Sequence, residues 1–179
     1  MFKRYFILLI SSVSISLNAL TIEELADRFN KSGDDTGTFI QMKTLSDIGV
    51  TLTSTGTYEF KKNKYVKWTT LKPLQSDFIA TQKDYTSVVN GKSVKRKLAD
   101  LKMSKSMKSL VEGDISSLKD TFSLKIKKNS IIAHPKQREL KEFIDNFVLE
   151  FNDAYQPTRF IMTFSNSDVL DIVLKRSSK

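Results

Sequence analysis

The sequence predicts a mainly β fold, an antiparallel sheet of about ten to eleven strands with two or three short helices. From Thr36 onward, apolar and polar side chains alternate with a period of two, which is typical of strands that bury one face. Short turn signals separate these runs, so successive strands are expected to be antiparallel neighbours. Helical spacing is confined mainly to residues 21–31 and 103–112. The sheet is therefore expected to form most of the protein.

Residues 1–19 have the layout of a cleavable signal peptide. Lys3 and Arg4 precede an apolar stretch over residues 5–15, and Ala19 marks the predicted cleavage site. The apolar stretch contains three serines and is shorter than the roughly 20 residues that cross a bilayer, which disfavours the alternative of a retained anchor. We expect a periplasmic, monomeric protein in which residues 20–179 form a single domain.

The charge and the cysteine content limit the function further. Without residues 1–19 the chain has 27 basic and 20 acidic side chains, a net charge of +7. This excess favours transient contact with anionic membrane surfaces, in particular through residues 92–108, although scattered, solvated lysines would account for it as well. The absence of cysteine excludes a disulfide, a lipidated thiol and a cysteine metal site.

The helical segments carry their own start and stop signals. Thr21 to Glu24 form a capping box, and the helix that follows is expected to run to about Lys31 and to stop at Gly33. Its apolar stripe consists of Ile22, Leu25, Ala26 and Phe29. The second helix is expected from Met103 to Glu112, with Met107, Leu110 and Val111 at helical spacing. A further helical turn through Leu118 would be capped by Asp114.

Ten strands are assigned from the alternation. They are expected near residues 36–44, 48–61, 64–71, 76–82, 85–90, 122–128, 130–133, 142–151, 158–165 and 168–176. Turns are predicted at Ser46-Asp47, Lys62-Asn63, Lys72-Pro73, Asn90-Gly91 and Asn166-Ser167. Residues 139–152 suit a helix or a strand, and we prefer a strand because Phe143, Phe147, Leu149 and Phe151 would share one face.

The alternation gives each strand one apolar and one polar side. The polar sides carry Glu59, Lys61, Lys67, Asn146, Glu150, Arg159, Asp171 and Lys175. A sheet with so much apolar surface and so little helix must close on itself or curl around what it binds, which favours a hollow interior. The alternative is a packed barrel or sandwich whose aromatic side chains fill one another's space.

The sequence resembles the family of the outer-membrane lipoprotein carrier LolA. The resemblance rests on residues 39–43 (FIQMK), on Gly56 before the alternating residues 57–61, and on Trp68 followed by Lys72-Pro73. These match the family's F-x-Q-x-K, G-x-hydrophobic-x-hydrophobic, W and P pattern in order and spacing. A weaker similarity continues from residues 134–136 to the last hairpin.

The resemblance implies an unclosed β-barrel in which helices form a lid over an apolar cavity. It also implies transport of acylated lipoproteins, or of related lipids, from an inner-membrane release complex to an outer-membrane acceptor. The cavity would be lined by Phe39, Tyr58, Phe60, Val66, Trp68, Phe147, Leu149, Phe151, Phe160, Met162 and Phe164. The lid would contain Ile22, Leu25, Phe29, Met107 and Leu110.

One position departs from the family pattern. Typical members have an Arg-Pro pair at the turn before the tryptophan strand, and the arginine is implicated in holding the lid closed. Here Lys62 and Asn63 occupy these positions. Lysine lacks the planar fork of donors of arginine, so Lys62 is a candidate lid latch without that geometry.

Other function classes have little support. His134 is the only histidine, so neither a histidine pair for a metal nor a Ser-His-Asp set is indicated, and we expect no enzyme, cofactor or metal. Nucleic acid is disfavoured because the aromatic side chains share faces with aliphatic ones, away from the lysines. Two hypotheses remain: a lipid carrier, and a periplasmic interaction module with a filled core that binds a protein on its outer face.

Overall fold

The computed structural model describes residues 21–31, 33–101 and 104–177, and the predicted signal peptide lies outside them. Within these residues, eleven strands form one antiparallel sheet. The strands are β1 (Asp35–Leu45), β2 (Val50–Lys61), β3 (Tyr65–Lys72), β4 (Ser76–Thr81), β5 (Asp84–Val89), β6 (Lys92–Lys97), β7 (Phe122–Lys127), β8 (Ser130–Pro135), β9 (Ile144–Phe151), β10 (Pro157–Phe164) and β11 (Val169–Arg176). The expected mainly β fold is confirmed.

The sheet consists of two meanders joined by the first and last strands. Its order is β6-β5-β4-β3-β2-β1-β11-β10-β9-β8-β7. β1 pairs with β11 from Gly37 opposite Arg176 to Thr44 opposite Val169. β6 and β7 remain as free edges, so the barrel is unclosed. The pairing of β1 with β11 brings the apolar faces of both meanders onto one side of the sheet.

Four α-helices accompany the sheet in the described residues. They are α1 (Ile22–Lys31), α2 (Ser104–Glu112), α3 (Leu118–Thr121) and α4 (Arg138–Lys141). The predicted capping box is confirmed, because the Thr21 N–H donates to Glu24 Oε2 at 3.0 Å and the Glu24 N–H donates to Thr21 Oγ1 at 3.1 Å. The cap at Asp114 is also confirmed, since its Oδ1 accepts the Ser117 N–H at 3.2 Å.

Two segments differ from the sequence-based assignment. Residues 92–97 form edge strand β6, although their composition (KSVKRK) shows no buried alternation. Every side chain of β6 is exposed, and lysine-rich edges of this kind resist pairing with other chains. The prediction that Phe143 shares a face with Phe147 is wrong. α4 ends at Lys141, β9 begins only at Ile144, and the Phe143 side chain is 42% exposed.

The outer face is less polar than predicted. The Arg159 side chain does pair there with Asp171, with Nη2 and Oδ2 2.6 Å apart. However, an apolar stripe crosses the same face on five strands, because cross-strand neighbours project to the same side. The stripe consists of Ile132, Val148 and Ile161 on one side of the Arg159–Asp171 pair and of Val173 and Ile40 on the other, because Ile161 lies opposite Asp171 and Val173 lies opposite Arg159. Alternation along a single strand does not reveal this stripe, because each of its residues lies on a different strand.

Candidate functional site

The strand registers place the predicted cavity residues on one face of the sheet. Trp68 lies opposite both Tyr58 and Phe78, and Phe160 lies opposite Leu149. We call this side, on which α1 and α2 pack, the inner face. Its predicted lining residues fall into a buried group, Phe39, Tyr58, Phe147, Phe151 and Met162. A half-buried group consists of Phe60, Val66, Trp68, Leu149, Phe160 and Phe164.

An aromatic stack occupies the middle of the inner face. The rings of Phe39 and Trp68 are stacked with centroids 4.0 Å apart, and the Tyr58 ring lies 6.2 Å from Trp68. Phe39 lies flat against β2 because Gly56 stands opposite it, and a Cβ on Gly56 would come within 2.7 Å of Phe39 Cε1. Gly37 is equally necessary, because a Cβ there would come within 2.7 Å of Tyr58 Cε1.

The stack ends in a polar contact. The Tyr58 hydroxyl donates to Asp35 Oδ2 at 3.3 Å. The pKa of Tyr58 is raised to about 12, mainly because the side chain is buried away from water and also because the negative charge of Asp35 is near. Asp35 Oδ1 lies 2.8 Å from Arg176 Nε without hydrogen-bond alignment. The Asp35 carboxylate, which lies next to the Arg176 guanidinium, thus holds the hydroxyl end of Tyr58 in place.

A second aromatic cluster lies toward the β7 edge. The Phe147 ring packs edge-on against Phe122 at 4.9 Å and lies 5.5 Å from Phe160. Met162 and Ile144 are buried in the same cluster. This part of the inner face is packed by the protein's own side chains, which is the arrangement that the packed-core alternative expects.

The two longer helices cover parts of the inner face. Leu25 and Phe29 of α1 are buried against Ile131 and Phe151, and the Phe29 ring lies 6.0 Å from Phe60. The half-buried Ile22 packs against the same cluster. In α2, Val111 is buried against Ala80 and Leu98, and Met107 packs beside them. The Leu110 side chain lies outside the described part. Sequence reasoning omitted Val111 from the lid, although its helical spacing was visible.

The helices leave one end of the inner face open. β1 and β2 extend past the end of β3, because Thr55 is already opposite Lys72, the last residue of β3. On this extension Val50 and Leu52 face inward and are 41% and 55% exposed. Val89 and Val94, on the inner side of β5 and β6, are similarly exposed. Exposed apolar side chains therefore lie at this end of the inner face, and the half-buried polar pair Gln41 and Ser54 separates them from the buried stack.

The turn between β2 and β3 is joined to α2 through the main chain. The Asn63 N–H donates to the Val111 carbonyl at 2.9 Å. At the predicted latch position, the Lys62 backbone N–H donates to Asp34 Oδ1 at 3.1 Å, and this bond is the main reason why the pKa of Asp34 is lowered. Lys61 Nζ lies 3.4 Å from Asp34 Oδ2. The role of the Lys62 side chain as a latch stays a prediction.

A groove of about 480 Å³ lies between α1, α3 and the edge strand β7. Its apolar walls come from Ile22 and from the inner side of β7, and two lysines also line it. The lining residues are Ile22, Lys119, Phe122, Ser123, Leu124, Ile126 and Lys136. Lys136 Nζ donates to the Lys119 carbonyl at 2.6 Å, and Lys119 Nζ lies 3.6 Å from Glu23. Sequence reasoning missed this groove because nothing local identifies β7 as an edge.

The single histidine lies apart from the inner face. His134 is exposed, and its Nδ1 lies 3.4 Å from the Asp145 carbonyl oxygen. No group of three or more histidine and acidic side chains is placed to hold a metal in residues 21–31, 33–101 and 104–177. Over the same residues, the structure contains no helix with the length and apolar character needed to cross a membrane.

Comparison with known proteins gives matches among solved structures only; no protein-family model and no curated protein matches the chain. A LolA superfamily protein from Nitrosomonas europaea is 10% identical, covers 88% of this chain and 92% of its own, and has a TM-score of 0.47. An outer membrane lipoprotein-sorting protein domain from Vibrio parahaemolyticus is 9% identical over 88% and 94%, with a TM-score of 0.45. LprF from Mycobacterium bovis is 10% identical over 88% and 93%, with a TM-score of 0.37.

Proposed function

We propose that this protein is a periplasmic carrier that binds acyl chains of lipoproteins, or of related lipids, on the inner face of its sheet. The observation that carries the proposal is the half-covered inner face. Its aromatic residues Phe60, Trp68 and Phe160 keep solvent contact, and beyond the half-buried pair Gln41 and Ser54 this face again exposes an apolar side chain, Leu52. A sheet built only for its own stability would cover or shorten such a surface.

The energetics of lipid transfer suit this arrangement. Exposing an acyl chain of about fifteen methylenes to water costs roughly 12 kcal/mol of free energy, at about 0.8 kcal/mol per methylene. A carrier must hide most of this surface and still release the chain. α1 and α2 are short helices of 10 and 9 residues, so they can shift over the inner face while the sheet stays intact.

The carrier would load at the inner membrane and unload at the outer membrane, in transient contact with both. The proposal includes an inner-membrane release complex and an outer-membrane acceptor, which follow from the resemblance to the LolA family. Exposed basic residues on β6, Lys92, Lys95, Arg96 and Lys97, would favour approach to anionic lipid surfaces.

Uptake of a fluorescent fatty-acid analogue by the purified protein tests the proposal. We expect uptake by the wild type and its loss in Trp68→Glu and in Phe60→Glu, because a carboxylate on the inner face would have to be desolvated by the acyl chain. Ile40→Glu is the matched control. Ile40 neighbours Phe39 on β1 but is half exposed on the outer face, so uptake should persist. Far-UV circular dichroism verifies that each variant is folded. Absence of uptake by the wild type would count against the proposal.

The second candidate is an interaction module that binds a protein partner on its outer face. It is favoured by the apolar stripe there, in particular by Ile40 and Val173, which are direct neighbours and 50% and 39% exposed. The dense cluster around Phe147 also agrees with a filled interior. In this case Ile40→Glu would abolish the function of the protein in cells, whereas Trp68→Glu would not. A carrier is expected to show the reverse pattern.

A further inference from the structure

Lys43 is an unusual residue on the inner face because it is a cation among apolar groups. The β1 registers place it opposite Leu52 on β2 and opposite Leu170 on β11. It is half-buried, and its Nζ lies 5.8 Å from the centroid of the Phe164 ring. Within the described residues no carboxylate lies in ion-pair distance of this ammonium. A partly desolvated cation on an apolar surface favours an anion brought by a ligand.

Polar side chains lie beside Lys43 on the same face. Gln41 stands two residues earlier on β1 and opposite Ser54 on β2. Thr70 on β3 lies opposite Ser76 on β4. All four side chains are half-buried. Gln41 and Ser54 form a cross-strand polar pair next to Lys43 and Leu52, whereas Thr70 lies opposite Gly56, closer to the aromatic stack. Such groups can donate hydrogen bonds to phosphate and ester oxygens.

The polar pair and Thr70 border the aromatic stack. Gln41 is two residues from Phe39, and Thr70 is two residues from Trp68, so both face the same side as the stack. Two residues along a strand correspond to about 7 Å. An amphiphile lying along the sheet would thus place its hydrocarbon on Phe39 and Trp68 and its head group at Lys43 and the polar pair.

We propose that Lys43, with the polar pair Gln41 and Ser54, binds the phosphate of a phospholipid whose acyl chains lie on the inner face. This inference rests on the proposed function and adds a ligand class to it. The diacylglyceryl group of a lipoprotein is uncharged and carries no phosphate, so it gives Lys43 no counter-ion. The site therefore favours an anionic phospholipid over a neutral diacylglycerol with the same chains.

Displacement of a neutral dye tests the ligand class. The purified protein is loaded with N-phenyl-1-naphthylamine, an uncharged probe of apolar sites, and titrated with dioctanoyl-phosphatidylglycerol or with dioctanoylglycerol. We expect the phospholipid to displace the dye at concentrations about tenfold lower, the factor typical of one charge-assisted hydrogen bond. Lys43→Met should remove this preference and leave displacement by dioctanoylglycerol unchanged.

The matched control is Lys175→Met. Lys175 lies opposite Thr38 on the outer side of the same strand pair, is exposed, and should not affect either titration. Unchanged thermal unfolding of Lys43→Met shows that the fold is intact. Equal displacement by both lipids in the wild type would overturn this inference and leave the carrier proposal standing, whereas failure of both lipids would overturn the two together. Suppression of the preference by millimolar inorganic phosphate would assign Lys43 to a free anion and would also overturn the inference.

Discussion

The close packing of Gly56 against Phe39 gives the sharpest stability prediction. In Gly56→Ala the new Cβ would collide with the Thr69 carbonyl oxygen and lie 2.7 Å from Phe39 Cε1. Neither group can easily move, because Thr69 is held in the β2–β3 pairing and Phe39, 2% exposed, is stacked on Trp68. β2 and β3 must therefore separate locally.

The expected cost combines two effects. Overpacking a filled site costs about 1–3 kcal/mol, and weakening one ladder hydrogen bond adds about 1 kcal/mol. We expect Gly56→Ala to lower the free energy of unfolding by about 2–4 kcal/mol, a large share of the roughly 5–15 kcal/mol typical of a domain. Trp68 is the only tryptophan, so urea unfolding followed by its fluorescence reports on the same stack.

Gly49→Ala is the control for this experiment. Gly49 has a φ of +63° and nothing within 4 Å of a Cβ, so the substitution should cost only about 1–2 kcal/mol of backbone strain. It should leave the native emission of Trp68 unchanged, whereas Gly56→Ala should shift it. An unfolding free energy for Gly56→Ala within about 0.5 kcal/mol of the wild type, with unchanged emission, would refute the packing argument.

Three further predictions follow from the same contacts. Spectrophotometric titration should show one tyrosine with a pKa of about 12 that is missing in Tyr58→Phe, and since the folded pKa exceeds the unfolded value of 10.0, stability should fall as the pH rises from about 10 to 12. Asp114→Ala should lower the free energy of unfolding by about 1 kcal/mol through loss of the cap to Ser117, and Asp114→Asn should retain most of it, as measured by urea unfolding. Phe29→Ala, which removes a buried contact of α1, should cost about 3–5 kcal/mol unless α1 detaches, in which case hydrogen exchange of α1 should accelerate while that of β1 and β2 does not.

The arrangement of the predicted site depended on contacts that the sequence could only partly indicate. Period two correctly assigned Tyr58, Phe60 and Trp68 to one side of their strands, because alternation is a local property of the pleat. It gave no means of finding the groove beside β7 or the inward Lys43 beside Phe164, since both depend on which strands lie next to each other.

The misassigned segments have physical reasons as well. The alternation test fails for β6 because an edge strand exposed on both faces needs no apolar residues. It fails at Phe143 because the tight turn after α4 is fixed by a bond from the Phe143 N–H to the Leu140 carbonyl, and it is this turn that determines where β9 begins. Neither feature alters the hydrophobic periodicity of the neighbouring residues.

The sequence by itself determined the mainly β class, the capping box at Thr21 and most of the hairpins, because turn chemistry and side-chain alternation act over a few residues. Only the tertiary structure decided that β1 pairs with β11, where Gly37 meets Arg176 across most of the chain, and that β6 and β7 each keep one free edge. It also decided how far the helices cover the inner face. These features depend on how segments that are distant in sequence pack together, and no local sequence pattern indicates the free energy of that packing.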